Sequence, residues 1–355
     1  MRITYCWTEP SGYLTACITE LARRPEADVS LFMWEPAADA PFSADTLGAA
    51  KGRVLTRQER DRPELVEQLV AETRPDVLFF SGWSHRPYRA LVNSRRLSRA
   101  KFVIGADSPI RFDWRQWLAP LRIGSLLRRV DAIVVPGERG YQLMRYWGVP
   151  GHKVARLLYG IDYHPFAAAA ERRRATHAEW PKQFLYAGRY VDAKGIDVLI
   201  AAYAAYRRAV ANPWPLVTCG TGPLRGLLTN QEGITDKGFL QPAELASAFA
   251  DAGALLLPSR YEPWGQVIVE AAAAGLPVIC TQACGAGADL VRDFHNGALV
   301  PTNDSAALAR AMLWMHEHYD QLPEMGRKSQ VAAAAYSAER WADNQLALAA
   351  RLLST

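Results

Sequence analysis

The sequence predicts an α/β protein of two Rossmann-like, doubly wound domains, and three observations carry that expectation. At 355 residues the chain is too long for one ordinary core and suits two domains of roughly 150 to 200 residues. Residues 1–165 alternate short apolar strands with helical stretches, the rhythm of a parallel sheet covered on both faces. Further on, Leu255–Cys280 reads as strand, turn, helix from Gln266 to Ala274, a Gly275 stop and a second strand, one unit of the same architecture.

In the first domain the expected strands are Ile3–Trp7, Val29–Trp34, Val54–Leu55, Val77–Ser81, Phe102–Gly105, Ala132–Pro136 and Val154–Leu158. Behind the first comes the turn Glu9-Pro10-Ser11-Gly12-Tyr13. Ligands of open parallel sheets lie beyond the carboxyl ends of strands, so Gly12 suits either an ordinary turn or a backbone approach to substrate. The turn is not GxGxxG, and a dinucleotide site is not expected. Two more strand ends carry polar groups, Ser81-Gly82-Trp83-Ser84-His85 and Gly105-Ala106-Asp107-Ser108-Pro109.

Residues 111–129 mix Trp114, Trp117, Leu118, Leu121 and Ile123 with arginines, and read either as a packed core element or as a segment lying on a membrane surface. Pro120 and Gly124 are expected to break a long regular helix there. Pro165, the alanines behind it and Glu171-Arg172-Arg173-Arg174 read as a solvated connection between the domains.

The second domain opens with strand Phe184–Ala187, then Gly188-Arg189 and Lys194-Gly195, then a helix with Ile196, Leu199, Ile200 and Tyr203 at helical spacing. Arg189 leaves a strand end and Lys194 enters the next helix, so both cations can reach one point above the sheet and suit phosphate oxygens. A glycine turn, Gly220-Thr221-Gly222, follows strand Pro215–Cys219. In the central stretch Gln266 and Glu270 share a helix face, while Glu262 lies in the turn before it. The first amides of that helix are orphan donors at the positive end of its dipole, with the bare Gly265 beside them. A diphosphate held there leaves Glu270 to accept ribose hydroxyls and Glu262 to meet a group beyond the phosphates, the layout of a sugar-nucleotide site.

Composition narrows the rest. The five cysteines form no C-x-x-C pair and sit in apolar or small-residue surroundings, which suits reduced, buried thiols better than metal ligands or disulfides. No signal-peptide pattern and no run of about 18 apolar residues occurs, so the expected location is the cytoplasm. Net charge is a mild +5, but between Arg86 and Arg129 the many cations face only Asp107 and Asp113, a field that favours anionic partners. Nothing resembling a nucleic-acid recognition motif accompanies it, and nucleic acid is not an expected partner.

The order Glu262-Pro263-Trp264-Gly265, four residues, Glu270, then Ala271–Ala274 and Gly275-Leu276-Pro277-Val278-Ile279 resembles the EX7E signature of retaining glycosyltransferases of family 4. Gly188-Arg189 with Lys194-Gly195, and Gly148-Val149-Pro150 on the approach to the interdomain hinge, extend the likeness over nearly the whole chain. It is dense from Arg189 to Pro301 and thin before Val134. The resemblance implies a GT-B fold: two Rossmann-like domains facing a cleft, with the tail from Ser337 to Leu353 crossing back as a helix onto the first domain. The implied domains are 1–165 plus about 338–355 on the acceptor side, and 166–337 for the donor.

By the same resemblance the activity is transfer of a sugar from a nucleoside-diphosphate sugar, a UDP- or GDP-sugar, to an acceptor hydroxyl. The anomeric configuration is retained, and no metal or further cofactor is used. Arg189 and Lys194 clamp the diphosphate, Glu262 orients the donor sugar and Glu270 holds the ribose. Gly12, Gly188, Gly220, Gly222, Trp264, Gly265, Gln266 and Val267 approach the donor, and the backbone at Phe239 and Leu240 meets the base edge. The family's amino-terminal histidine is replaced by Asp107 at the better match, with His85 the alternative, and Tyr159 and Asp289 stand where Asn and Glu are usual. A catalytically silent scaffold and a sugar-nucleotide epimerase stay open as other readings, and peripheral contact with an anionic membrane stays open for residues 111–129.

Overall fold

Seven parallel strands make the first sheet: β1 (Arg2–Cys6), β2 (Asp28–Trp34), β3 (Lys51–Leu55), β4 (Val77–Ser81), β5 (Lys101–Gly105), β6 (Ala132–Val134) and β7 (Val154–Ala155), in the order β3-β2-β1-β4-β5-β6-β7. The computed structural model describes residues 1–8, 10–35 and 47–354, so Glu9 of the first strand-end turn lies outside the described residues. Side chains alternate across the sheet into two separate cores. Ile3, Tyr5, Val77, Phe79 and Val103 pack against helices Gly12–Ala22 and Ala338–Leu353. Cys6, Leu78, Phe80, Phe102 and Ile104 pack against helices Pro63–Glu72, Trp114–Arg129 and Glu138–Tyr146. Burial on both faces is why the inner strands β1, β2, β4, β5 and β6 read as apolar runs, while the edge strand β3 keeps Lys51, Gly52 and Arg53 exposed.

The chain divides into two units, Met1–Asp162 with Tyr336–Thr355, and Tyr163–Ala335. Helix Ala338–Leu353 therefore belongs with the first sheet, as the resemblance implies. Ser337 caps it by accepting from Arg340 N at 3.3 Å, and Trp341 Nε1 donates to Leu158 O at 3.0 Å. Gln345 Nε2, also buried, donates to Leu157 O at 3.3 Å.

The second unit has a six-stranded parallel sheet: β8 (Phe184–Ala187), β9 (Leu216–Cys219), β10 (Ile234–Asp236), β11 (Ala254–Leu257), β12 (Val278–Thr281) and β13 (Gly297–Val300), in the order β10-β9-β8-β11-β12-β13. The edge strands β10 and β13 are not legible in the sequence. Each is short, and neither is a run of buried apolar residues.

Two expectations are corrected. Residues 163–176 are not a solvated connection but a helix, Tyr163–Thr176, with Phe166, Ala169, Ala170 and Arg173 buried in the second unit. The Arg173 guanidinium donates to Phe249 O at 2.6 Å and to Ala274 O and Gly275 O at 3.0 and 3.2 Å. It thus satisfies orphan carbonyls where helices Pro242–Ala250 and Gln266–Ala273 end, and its positive charge suits the negative ends of their dipoles. Burial pushes this guanidinium down to about 10. Nor does Pro120 break its helix, which runs unbroken from Trp114 to Arg129. A proline leaves the carbonyl one turn back without a donor, and here Trp147 Nε1 donates to that oxygen, on Gln116, at 2.8 Å.

Candidate functional site

The loops behind β8 and β11 meet because those strands are neighbours and parallel, so both loops leave the same end of the sheet. Gly195 makes the approach close. It adopts φ 67°, and a Cβ there would lie 2.3 Å from Pro258 O. Arg260 N and Tyr261 N donate to Ala193 O at 2.8 and 3.1 Å. The Arg260 guanidinium donates to Asp192 O in the same loop at 2.8 Å, pairs with Asp197 in the helix behind it at 2.6 Å, and donates to Asn303 Oδ1, beyond β13, at 2.6 Å. From the other side Gly285 N donates to Glu262 O at 3.1 Å and Ala286 N to Trp264 O at 2.8 Å. Nothing but glycine fits at 285, where a Cβ would lie 2.1 Å from Pro263 O.

Held between these anchors, Lys194 Nζ donates to Glu262 Oε2, with side chains only 15% and 11% exposed. Glu262 in turn lies against the start of helix Gln266–Ala273. Gly265 caps that helix at φ 98°, no side chain caps it, and a Cβ on Gly265 would come within 3.0 Å of Glu262 Cγ. Lys194, Glu262 and the helix start are therefore one cluster. Glu270 lies one turn along. It keeps part of its surface accessible, yet protein encloses its carboxyl closely enough that burial pushes it up to about 7, and among the described residues no charge or hydrogen bond offsets that.

Arg189 is exposed and forms no salt bridge among the described residues. Tyr186 Oη donates to Arg189 O at 3.0 Å, and its hydroxyl sits in the fields of both Glu262 and Arg189, so these charges converge near the end of β8. Burial, above all, holds that phenol well above its ordinary range.

The glycine turn lies beside the same loop. A Cβ on Gly220 would meet Gly188 O at 1.9 Å and one on Gly222 would meet Tyr190 O at 2.4 Å, while Gly220 N donates to Gly238 O at 2.8 Å. Asp236 joins these pieces by accepting from Tyr190 Oη, Gly238 N and Arg225 Nε at 2.7, 2.9 and 2.7 Å. Although burial alone would raise it, those hydrogen bonds hold its carboxyl below the usual range. Next to it Phe239 is exposed and Leu240 half-buried. Gln266 and Val267 are half-buried at the helix start, and the Trp264 side chain is buried, so its contribution there is backbone.

In the first unit Gly12 is the first residue of helix Gly12–Ala22, capped by Ser11 Oγ, which accepts from Leu14 N at 3.4 Å. Asp107 Oδ2 accepts from Tyr159 Oη at 3.4 Å. Asp107 has an exposed outline, but its carboxyl is crowded by protein and raised by burial, an effect the Tyr159 bond opposes. His85 is different: it is buried between Trp34 and Tyr88, edge-on at centroid distances of 4.8 and 4.3 Å, with Nε2 3.6 Å from Asp61. Burial lowers its proton affinity.

Arg260 and Asp236 escape sequence reasoning. One Arg and one Asp in loops carry no pattern, and only their several partners reveal them. Arg260→Lys keeps the charge but loses the fork. It is expected to lower stability by about 1.5–3 kcal/mol, the worth of hydrogen bonds to a charged group, and to weaken diphosphate binding through displacement of Lys194. Denaturant unfolding and nucleotide titration of the same variant check both.

The two Rossmann-like sheets and the returning helix define the GT-B class of fold. Residues 168–331 match the family Glycosyl transferases group 1. The chain is 33% identical over 201 residues to a D-inositol 3-phosphate glycosyltransferase of Salinispora tropica, covering 52% of this chain and 40% of that protein. It is 29% identical over 259 residues to a glycogen synthase of Mycobacterium tuberculosis, covering 67% and 59%. The chain thus spans about half the length of the curated relatives it matches. Among solved structures, sucrose-phosphate synthase of Thermosynechococcus elongatus superposes with TM-score 0.77 at 19% identity, covering all of both chains. Anabaena HepE in complex with UDP does so with TM-score 0.74 at 17% identity, again over all of both chains. No helix among the described residues is long and apolar enough to cross a membrane.

Proposed function

We propose that this chain is a retaining glycosyltransferase of family 4 that moves a sugar from a nucleoside-diphosphate sugar to an acceptor hydroxyl. One observation carries the reading: Lys194 and Glu262 are locked together at the uncapped, glycine-started helix Gln266–Ala273, with Glu270 one turn further along. Arg189, Lys194 and the first helix amides supply the positive charge that a departing diphosphate needs as the C1–O bond lengthens, without a metal ion. Glu262 meets the sugar hydroxyls, Glu270 the ribose, and the loops at Gly220–Gly222 and Phe239–Leu240 the nucleoside. The named activities of the relatives and the UDP in the HepE complex support a nucleotide-sugar donor, which we assign as a UDP- or GDP-sugar.

Retention follows a front-face course in this proposal. The bond from C1 to the phosphate oxygen breaks, the acceptor oxygen bonds C1 from the same side, and its proton passes to the departing phosphate oxygen. From the first unit Asp107, with His85 as alternative, serves the acceptor side.

The test is incubation with UDP-, GDP- and ADP-sugars, read by thermal shift and then by product formation. One nucleotide sugar is expected to raise Tm, following the mass action of a ligand that binds only the folded state. Its product should carry the donor's anomeric configuration, and Glu262→Gln should reduce turnover far more than affinity. Conversion of the donor alone would point to an epimerase, and binding without turnover across acceptors to a scaffold.

A further inference from the structure

Helix Trp114–Arg129 is divided along its length. Its second half is anchored in the first unit's core by Ile123, Leu126 and Leu127, whereas Trp114, Trp117, Leu118 and Leu121 are 66%, 69%, 50% and 83% exposed. Those four recur at the spacing of one helix face, so they form a single apolar stripe turned to solvent. Phe112, 72% exposed, extends it and packs edge-on against the exposed Tyr146 at 5.8 Å. Isolated exposed apolar residues are ordinary, but a contiguous aromatic and leucine stripe on a rigid helix marks a surface that something covers.

The charges say what. Arg115 and Arg122 on the helix and Arg111 in the turn before it are exposed beside the stripe, and Arg145, next to Tyr146, is exposed too, its guanidinium donating to Val149 O at 2.6 Å. Asp113, the one acid between Arg111 and Arg129, is engaged, with Oδ1 capping the helix at Gln116 N at 2.9 Å and Oδ2 3.7 Å from Arg111. A second copy of this face would set cations against cations in a two-fold contact. A bilayer of anionic lipid instead meets both halves of the pattern: tryptophan prefers the headgroup level, leucine the acyl boundary, and arginine reaches up to phosphate along an apolar stem.

We propose that the exposed stripe of helix Trp114–Arg129 is the docking surface by which this protein binds an anionic membrane, with Trp117 and Leu121 inserted and Arg115 and Arg122 on lipid phosphates. The helix lies in the plane of the interface and does not span it. Docking on this face does not depend on the reaction proposed for the second unit, so each fails independently.

The test is flotation of the full chain with vesicles of phosphatidylcholine containing a quarter phosphatidylglycerol, against vesicles of phosphatidylcholine alone. Binding to the anionic vesicles is expected, with loss at about 0.5 M salt, where charges are screened within a few ångströms. Arg115→Gln with Arg122→Gln should reduce partitioning on the order of thirty-fold, the effect of two surface cations near anionic lipid. Trp117→Ser with Leu121→Ser should reduce it at least about ten-fold. All four positions are exposed, so Tm should stay unchanged in both variants, and bromine-labelled lipid should quench wild-type fluorescence more than that of the Trp117→Ser variant. Absent flotation, equal binding to neutral vesicles at high salt, or a serine variant that changes only the oligomeric state would each overturn the proposal, the last by assigning the face to a second copy.

Discussion

Replacing Glu270 with glutamine is expected to stabilise the ligand-free protein above pH 7 while weakening its hold on a nucleoside diphosphate. Burial raises the folded carboxyl from an ordinary 4.5 to about 7. Below pH 4.5 the group is protonated in both folded and unfolded chains and imposes no penalty. As pH rises from there to 7 the unfolded chain ionises first, so folding stability declines, and the loss is complete above the folded value. A difference of this size corresponds to on the order of 3 kcal/mol. Glutamine does not ionise, so the variant's stability should lack that decline, a result that denaturant unfolding between pH 4 and 8 reads directly. The wild type should bind nucleotide more tightly as pH rises through 7, since the ionised carboxylate accepts two ribose hydroxyls, and the variant should lose this dependence together with affinity. Parallel stability profiles for wild type and variant would show that burial does not raise this carboxyl, and unchanged nucleotide affinity in the variant would remove Glu270 from the site. A group left at odds with its own fold is what a binding role leaves behind.

The second large effect concerns Lys194 and Glu262, which neutralise each other in the ligand-free protein. Lys194→Met leaves a mostly buried carboxylate without its cation and is expected to cost about 3–5 kcal/mol. Glu262→Gln within Lys194→Met should restore part of that, because the uncompensated charge is gone, and a double-mutant cycle by denaturant unfolding measures the coupling. The functional consequence has the opposite shape. With Glu262→Gln alone, Lys194 is released to a phosphate, so affinity for the nucleoside diphosphate without its sugar should hold or rise, while turnover falls about a hundred-fold or more. Additive stabilities, or equal losses of affinity and turnover in Glu262→Gln, would show that the two side chains do not act as one unit.

What could be read in advance followed the strength of local pattern. Strands β1, β2, β4, β5 and β6 announce themselves as apolar runs, because two cores claim alternate residues of each, whereas β3, with Lys51, Gly52 and Arg53 exposed, is legible only at Val54–Leu55. Ser337 announces the last helix through its capping geometry. β10 and β13 are edge strands of three and four residues, and their pairing is decided by the neighbouring strand rather than by their own composition. Arg173 misleads for a related reason. Three arginines in a row with alanines read as solvated, yet one of them is the buried donor to the ends of two helices, and those carbonyls come from residues distant in the chain.

Local pattern carries the two-domain α/β class, the strand rhythm of the inner strands of the first sheet, and the spacing that puts Glu262 before a helix and Glu270 within it. These depend on period, capping and glycine placement, all of them local. Folding, not spacing, ties Lys194 to Glu262, sets Arg260 between their two loops, and encloses the Glu270 carboxyl with no offsetting charge or hydrogen bond among the described residues. It also decided that Trp114, Trp117, Leu118 and Leu121 face water while the same helix continues into the core. Charge pairing and exposure depend on which distant segments the fold brings to one place, and no spacing along the chain encodes that.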